Sequence, residues 1–114
     1  MTSPLQEPTF LILTALAGEP RHGYGVIQEV NALSGGRVTL RPGTLYGALD
    51  RLVEQGLAVA DREEVVDGRL RRYYRLTDAG ATLLDAEAQR LTTNAEAATS
   101  RLRDRARASR LAHG

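Results

Sequence analysis

Cysteine, tryptophan and lysine are all missing from the 114 residues of this chain. Without cysteine there is no disulfide, no thiol nucleophile and no cysteine-ligated metal, and nothing argues for an oxidising compartment. Aromatic residues are few, four Tyr and one Phe, so aliphatic side chains must fill the interior. No apolar run approaches the roughly 20 residues that span a bilayer, and residues 1–7 carry no basic charge of the kind that opens a secretory signal. Membrane partners are therefore not expected, and the cytoplasm is the default location. The two histidines, His22 and His113, lie far apart. With no nucleophile–base–acid set, phosphate-binding glycine loop or metal-spaced cluster, neither an enzyme nor a cofactor is expected.

What the chain does contain is ordinary for a globular protein: 42% hydrophobic and 25% charged residues, with a net charge of +1. All fifteen cations are Arg, which GC-rich coding explains at least as well as selection for guanidinium contacts. Their distribution matters more than their sum.

Residues 5–18 read as a first helix, with Pro8 at an early position that needs no N–H donor. Its run from Phe10 to Ala17 is apolar nearly all round, so it should be covered on more than one side. A second helix spans 22–33, with Ile27, Val30 and Leu33, helped by Val26, facing inward and Tyr24 and Gln28 elsewhere. Gly35 and Gly36 close it. Pro42 opens a third helix, in which Leu45, Leu49, Leu52 and Val53 recur at inward spacing; Gly56 and Leu57 end it as a Schellman motif requires. The period then changes to two. Residues 57–65 and 69–76 read as a β-ribbon around Asp67 and Gly68, and Thr77 caps a last helix reaching about residue 110.

The second and third helices, joined by a glycine-containing turn, are the parts of a helix-turn-helix. A major groove admits one such helix by its N-terminal residues. The third helix holds Thr44, Tyr46, Gly47, Asp50 and Arg51 away from its leucines. The ribbon adds Arg69, Arg71, Arg72 and Arg75 beside Tyr73 and Tyr74. Acids on its first strand, Asp61, Glu63 and Glu64, oppose phosphate unless the Arg-rich side is presented separately. Double-stranded DNA is the partner these features favour; a winged helix used for protein–protein contact is the alternative.

At this point the residues resemble a known family. Phe10-Leu11-Ile12-Leu13, His22-Gly23-Tyr24-Gly25, Pro42-Gly43-Thr44-Leu45-Tyr46, Arg51-Leu52, Gly56-Leu57 and Arg72-Tyr73-Tyr74-Arg75-Leu76-Thr77 followed by Gly80 stand in the order and spacing of the PadR family of transcriptional regulators, short class. The resemblance implies a winged helix-turn-helix homodimer that represses transcription at a palindromic operator, with release by a small-molecule effector in some members. Carried over by position, Tyr24, Thr44, Tyr46 and Arg51 become operator contacts and Arg69, Arg71 and Arg72 wing contacts. Two positions depart from the family pattern. Arg41 stands where a small hydroxyl residue is usual, making it a candidate phosphate contact. Gly47 replaces a long basic side chain and leaves fewer direct contacts. Lacking Trp, the chain has no indole with which to stack an effector as some relatives do.

In the last helix Leu84, Ala88, Leu91, Ala95, Ala98 and Leu102 follow the alternating steps of a coiled-coil seam. A helix folded back on its own domain is the other reading. The seam, with Phe10 and Leu13 of the first helix, is the expected dimer interface. Arg101, Arg103, Arg105, Arg107 and Arg110 crowd the chain's end. The expected fold is thus mostly α with a β-hairpin: a winged helix-turn-helix over residues 1–76 and a dimerisation helix with tail over 77–114.

Overall fold

A computed structural model describes residues 4–113. In chain order it contains α1 (Glu7–Gly18), β1 (Arg21–His22), α2 (Gly23–Leu33), α3 (Pro42–Glu54), β2 (Ala58–Val66), β3 (Arg69–Leu76) and α4 (Asp78–His113). The chain forms two compact units, one ending at Leu84 and the other beginning at Asp85. The architecture is the expected one: mostly helical, with a winged helix-turn-helix followed by a long C-terminal helix.

In the first unit, Ile12, Leu13 and Leu16 of α1, Val26 and Val30 of α2, and Leu45, Leu49 and Leu52 of α3 form one buried cluster with Leu40, Ala58 and Tyr74. Two residues read as inward are not. Leu33 is 45% and Val53 39% exposed. Leu33 is the last residue of α2, beyond the turns that Val26 and Val30 pack. Val53 lies roughly a quarter-turn from the centre of the leucine stripe, at about 100° per residue.

Both helix ends that glycine was expected to close are Schellman caps. Gly36 N–H donates to the Asn31 carbonyl at 2.8 Å and Gly35 N–H to Ala32 at 3.1 Å. The same pattern joins Leu57 to Leu52 at 2.9 Å and Gly56 to Val53 at 3.0 Å, with Gly56 at φ 77°. Buried Ser34 organises the connection between α2 and α3, accepting from Val38 N–H at 2.9 Å and donating to the Asn31 carbonyl at 3.1 Å.

The ribbon turns at Asp67 and Gly68, both at positive φ (53° and 75°), the signature of a type I′ hairpin. Its register pairs Val66 with Arg69 and Ala58 with Leu76, with an irregularity between Ala60 and Arg62. Unforeseen from sequence is β1. Its two residues pair antiparallel with Tyr74 and Tyr73, giving a three-stranded sheet of order β1-β3-β2. A two-residue strand has no periodicity to read.

At the start of α4, Thr77 Oγ1 accepts from Gly80 N–H at 3.0 Å and donates to the Gly56 carbonyl at 2.7 Å, while Thr77 N–H donates to Leu57 at 3.1 Å. In the second unit α4 continues as unbroken helix. From Gln89 onward every described side chain is exposed apart from half-buried Ser100.

Candidate nucleic-acid interface

The Leu45, Ala48, Leu49 and Leu52 stripe of α3 is buried, so the opposite side of the helix is fixed outward. Thr44, Asp50 and Arg51 are exposed there, Gly47 is half-buried, and Tyr46 is 46% exposed. Arg41 precedes the helix in extended geometry and makes no side-chain cap, leaving its guanidinium in solvent. On α2, Tyr24 is 64% exposed.

Tyr24 and Tyr46 come together with Leu70, Arg71 and Arg72 around a small concavity between the start of α2, α3 and the wing. A neighbouring cleft is lined by Tyr46, Asp50, Leu70, Arg72 and Tyr74. The expected operator contacts Tyr24 and Tyr46 therefore meet the wing at the Leu70–Arg72 segment of β3. Arg51 lies on the other flank of α3, where it lines a cleft with Leu5, Gln6, Thr9 and Gln55.

His22 holds the first turn of α2. Its Nδ1 accepts from Gly25 N–H at 2.9 Å, an N-cap made by an imidazole, and its ring lies 5.3 Å from that of Tyr73 on β3. Arg21 anchors the same junction, donating to the Ala15 carbonyl at 2.9 Å and pairing with Glu19 and Glu29. This coupling of helix to wing has no signal in the sequence, where His22 is only an isolated histidine.

The wing does not present an Arg-rich side apart from an acidic one. Strand alternation puts Arg69, Arg71, Tyr73 and Arg75 on one side of β3 and Leu70, Arg72 and Tyr74 on the other. Acids of β2 are interleaved with them. Arg72 Nε donates to Glu63 at 3.2 Å, Arg62 Nε to Glu64 at 3.0 Å, and Arg75 pairs with Asp61 at 3.4 Å. Hydrogen bonds from Arg62, and then from Tyr73 Oη at 3.1 Å, hold the Glu64 carboxyl below its ordinary pKa. Arg62 also stacks over the Tyr73 ring at 4.0 Å. Arg69 sits beside the turn, opposite Val66, and forms no ion pair among the described residues.

One residue assigned to a subunit contact belongs elsewhere. Leu13 is fully buried and has no surface to offer a partner. Leu84 is half-buried and packs in part against the core cluster of its own unit. Phe10 and Ala88 are half-buried. The exposed part of the seam is Leu91, Ala95, Ala98 and Leu102, with Leu91 40% and Leu102 60% exposed.

Among the described residues no group of three or more His, Asp or Glu is placed to hold a metal ion, and no helix is long and apolar enough to cross a membrane.

Comparison with known proteins agrees with this geometry. The family model described as "Transcriptional regulator PadR-like family" matches residues 12–86. A transcriptional regulator of Mycobacterium tuberculosis is 44% identical over 80 residues, covering 70% of this chain and 71% of that protein. Among solved structures, a PadR family transcriptional regulator from Eggerthella lenta aligns with TM-score 0.65 at 26% identity, over 82% of this chain and 80% of that one. The Bacillus subtilis PadR, solved in complex with operator DNA, shares the fold with TM-score 0.62 at 21% identity, over 71% of this chain and 46% of its own. From the motifs of α2, α3 and the wing to the match over residues 12–86, the chain belongs to the PadR-like family of transcriptional regulators, which are not enzymes.

Proposed function

We propose that this chain is a cytoplasmic repressor that binds an inverted-repeat operator as a homodimer, one α3 entering a major groove from each subunit. The observation that carries the reading is the leucine-backed α3, which turns Thr44, Tyr46 and Arg51 outward, with Tyr46 beside Arg71 and Arg72 of the wing. Its first residues supply base contacts, at about 1–3 kcal/mol for a good bidentate pair. Arg41, Arg69 and Arg71 supply phosphate contacts. Arg72 does so only by leaving Glu63.

Dimerisation is supported by the exposed stripe Leu91, Ala95, Ala98 and Leu102, which a second copy of α4 can cover. A two-fold axis then sets the two α3 helices about one turn of DNA apart. The operator complex of the Bacillus subtilis relative is consistent with this use of the fold. Release by a small-molecule effector at the dimer interface rests on the family alone; stabilisation in a thermal-shift screen of small aromatic compounds tests it.

The decisive experiment is selection of binding sites from random duplex DNA by the purified protein. The expected product is an inverted repeat with half-sites roughly 10 bp apart centre to centre. Six phosphate contacts per dimer, from Arg41, Arg69 and Arg71 of each subunit, give a log–log salt slope of about −5. A chain that binds no duplex even at low salt is instead a protein–protein interaction module.

A further inference from the structure

Five of the ten described glycines are accounted for by their own backbone or by a backbone neighbour. Gly35, Gly36, Gly56 and Gly68 have positive φ, and Gly80 lies against Leu57. Gly23 is different. It is the first residue of α2 and buried, a position where alanine is the better helix former. A Cβ at this position would lie 2.7 Å from Tyr46 Cζ and 3.0 Å from Cε1, and closer still to the hydroxyl. All three nearest atoms thus belong to one side chain of α3. Gly43, also helical, meets nothing within 4 Å. The fold of α2 itself makes no demand for glycine at 23. The seat of Tyr46 does.

That seat is rigid. The imidazole of His22 caps the turn through Gly25, and the backbone of His22 pairs with Tyr73 of the wing. The first turn of α2 is therefore tied to β3 on one side and carries the Tyr46 ring on the other. Tyr46 keeps 46% of its surface open, and the open part borders the concavity it shares with Tyr24, Leu70 and Arg72.

We infer that Gly23 is a positioning residue for DNA reading. By withholding a side chain it seats the hydroxyl end of Tyr46 against α2 and so fixes where the ring meets the operator. The inference rests on the DNA-binding reading above and deepens it: base preference at one position of each half-site depends on a glycine that touches no DNA. A methyl group at 23 must push the ring tip outward by about 1 Å to reach ordinary carbon contact distance.

Gly23→Ala in the full chain tests this, using a site selected by the wild type and a random duplex of equal length. Affinity for the selected site should fall about tenfold, with random-duplex affinity changed by less than about twofold and preference relaxed at one position per half-site. Tyr46→Leu, whose side chain stops short of the seat, should reproduce the loss and stay folded. In that background Gly23→Ala should cost nothing further, as a double-mutant cycle requires of coupled residues. Wild-type discrimination by Gly23→Ala, or equal losses on both DNAs, overturns the inference. If Gly23→Ala fails to fold, Tyr46→Leu decides alone, and wild-type discrimination by that variant overturns it. A wild-type chain that selects no site and binds no duplex brings down the DNA-binding reading, and this inference with it.

Discussion

Leu49 on α3 and Leu102 on α4 both sit in regular apolar stripes, yet the first is fully buried and the second 60% exposed. The stripe of α3 is covered by α1, α2 and the sheet of its own unit. The stripe of α4 beyond Ala88 faces solvent, and from Gln89 on six arginines accompany only two acids. Periodicity states that a helix face is apolar; it does not state which molecule covers it. Where the core is large enough the answer is the same chain. Where a helix outruns its core, the stripe is left open to solvent.

Substitutions can break this contrast. Leu49→Ala should cost about 2–5 kcal/mol of unfolding free energy, the range for a large buried aliphatic residue, read from the denaturant midpoint. Gly80→Ala comes next, at about 1–3 kcal/mol for forced overpacking. Its methyl would meet Leu76 Cδ1 at 2.7 Å and press on the Leu57 carbonyl, backbone that cannot swing aside. Leu91→Glu with Leu102→Glu should do the opposite of Leu49→Ala. It should change the stability of dilute protein by less than about 0.5 kcal/mol, yet shift the sedimenting species from dimer to monomer. If it destabilises dilute protein as Leu49→Ala does, the α4 stripe belongs to an intrachain core and the contrast fails.

The smallest effect is expected in the wing, whose ion pairs are exposed. Glu64 has a lowered folded pKa because Arg62, and then Tyr73, donate to it. Its contribution is present above the ordinary glutamate pKa and is lost as pH falls through the lowered folded value. Protection factors of the wing amides, taken relative to the intrinsic exchange rate at each pH, should therefore fall below that range, while the Leu45–Leu52 segment of α3 stays protected. Glu64→Gln should weaken the wing's response, leaving the part carried by the Arg72–Glu63 and Arg75–Asp61 pairs.

Much of the fold was legible because its signals are local. Pro42, Gly56 and the Asp67–Gly68 pair mark boundaries through backbone geometry that few other residues tolerate. The exposure of Thr44, Tyr46 and Arg51 followed from the spacing of the leucines beside them. What escaped reading depends on pairing across the chain. β1 exists only because β3 lies alongside it, and the division of the wing arginines between two sides follows from strand alternation combined with acids on the neighbouring strand. Leu13 reads as a subunit contact from sequence but is fully buried, because sequence shows that a residue is apolar, not how much of a small core remains to receive it.

Residue 57 has a consequence for how such a molecule can vary. Its N–H closes the end of α3 and its carbonyl receives Thr77, while the Thr77 hydroxyl donates to Gly56. The ribbon thus leaves and returns at a single stitched point. Changes of length around Asp67 act beyond this stitch, so the wing's reach can vary while the junction between α3 and α4 is kept.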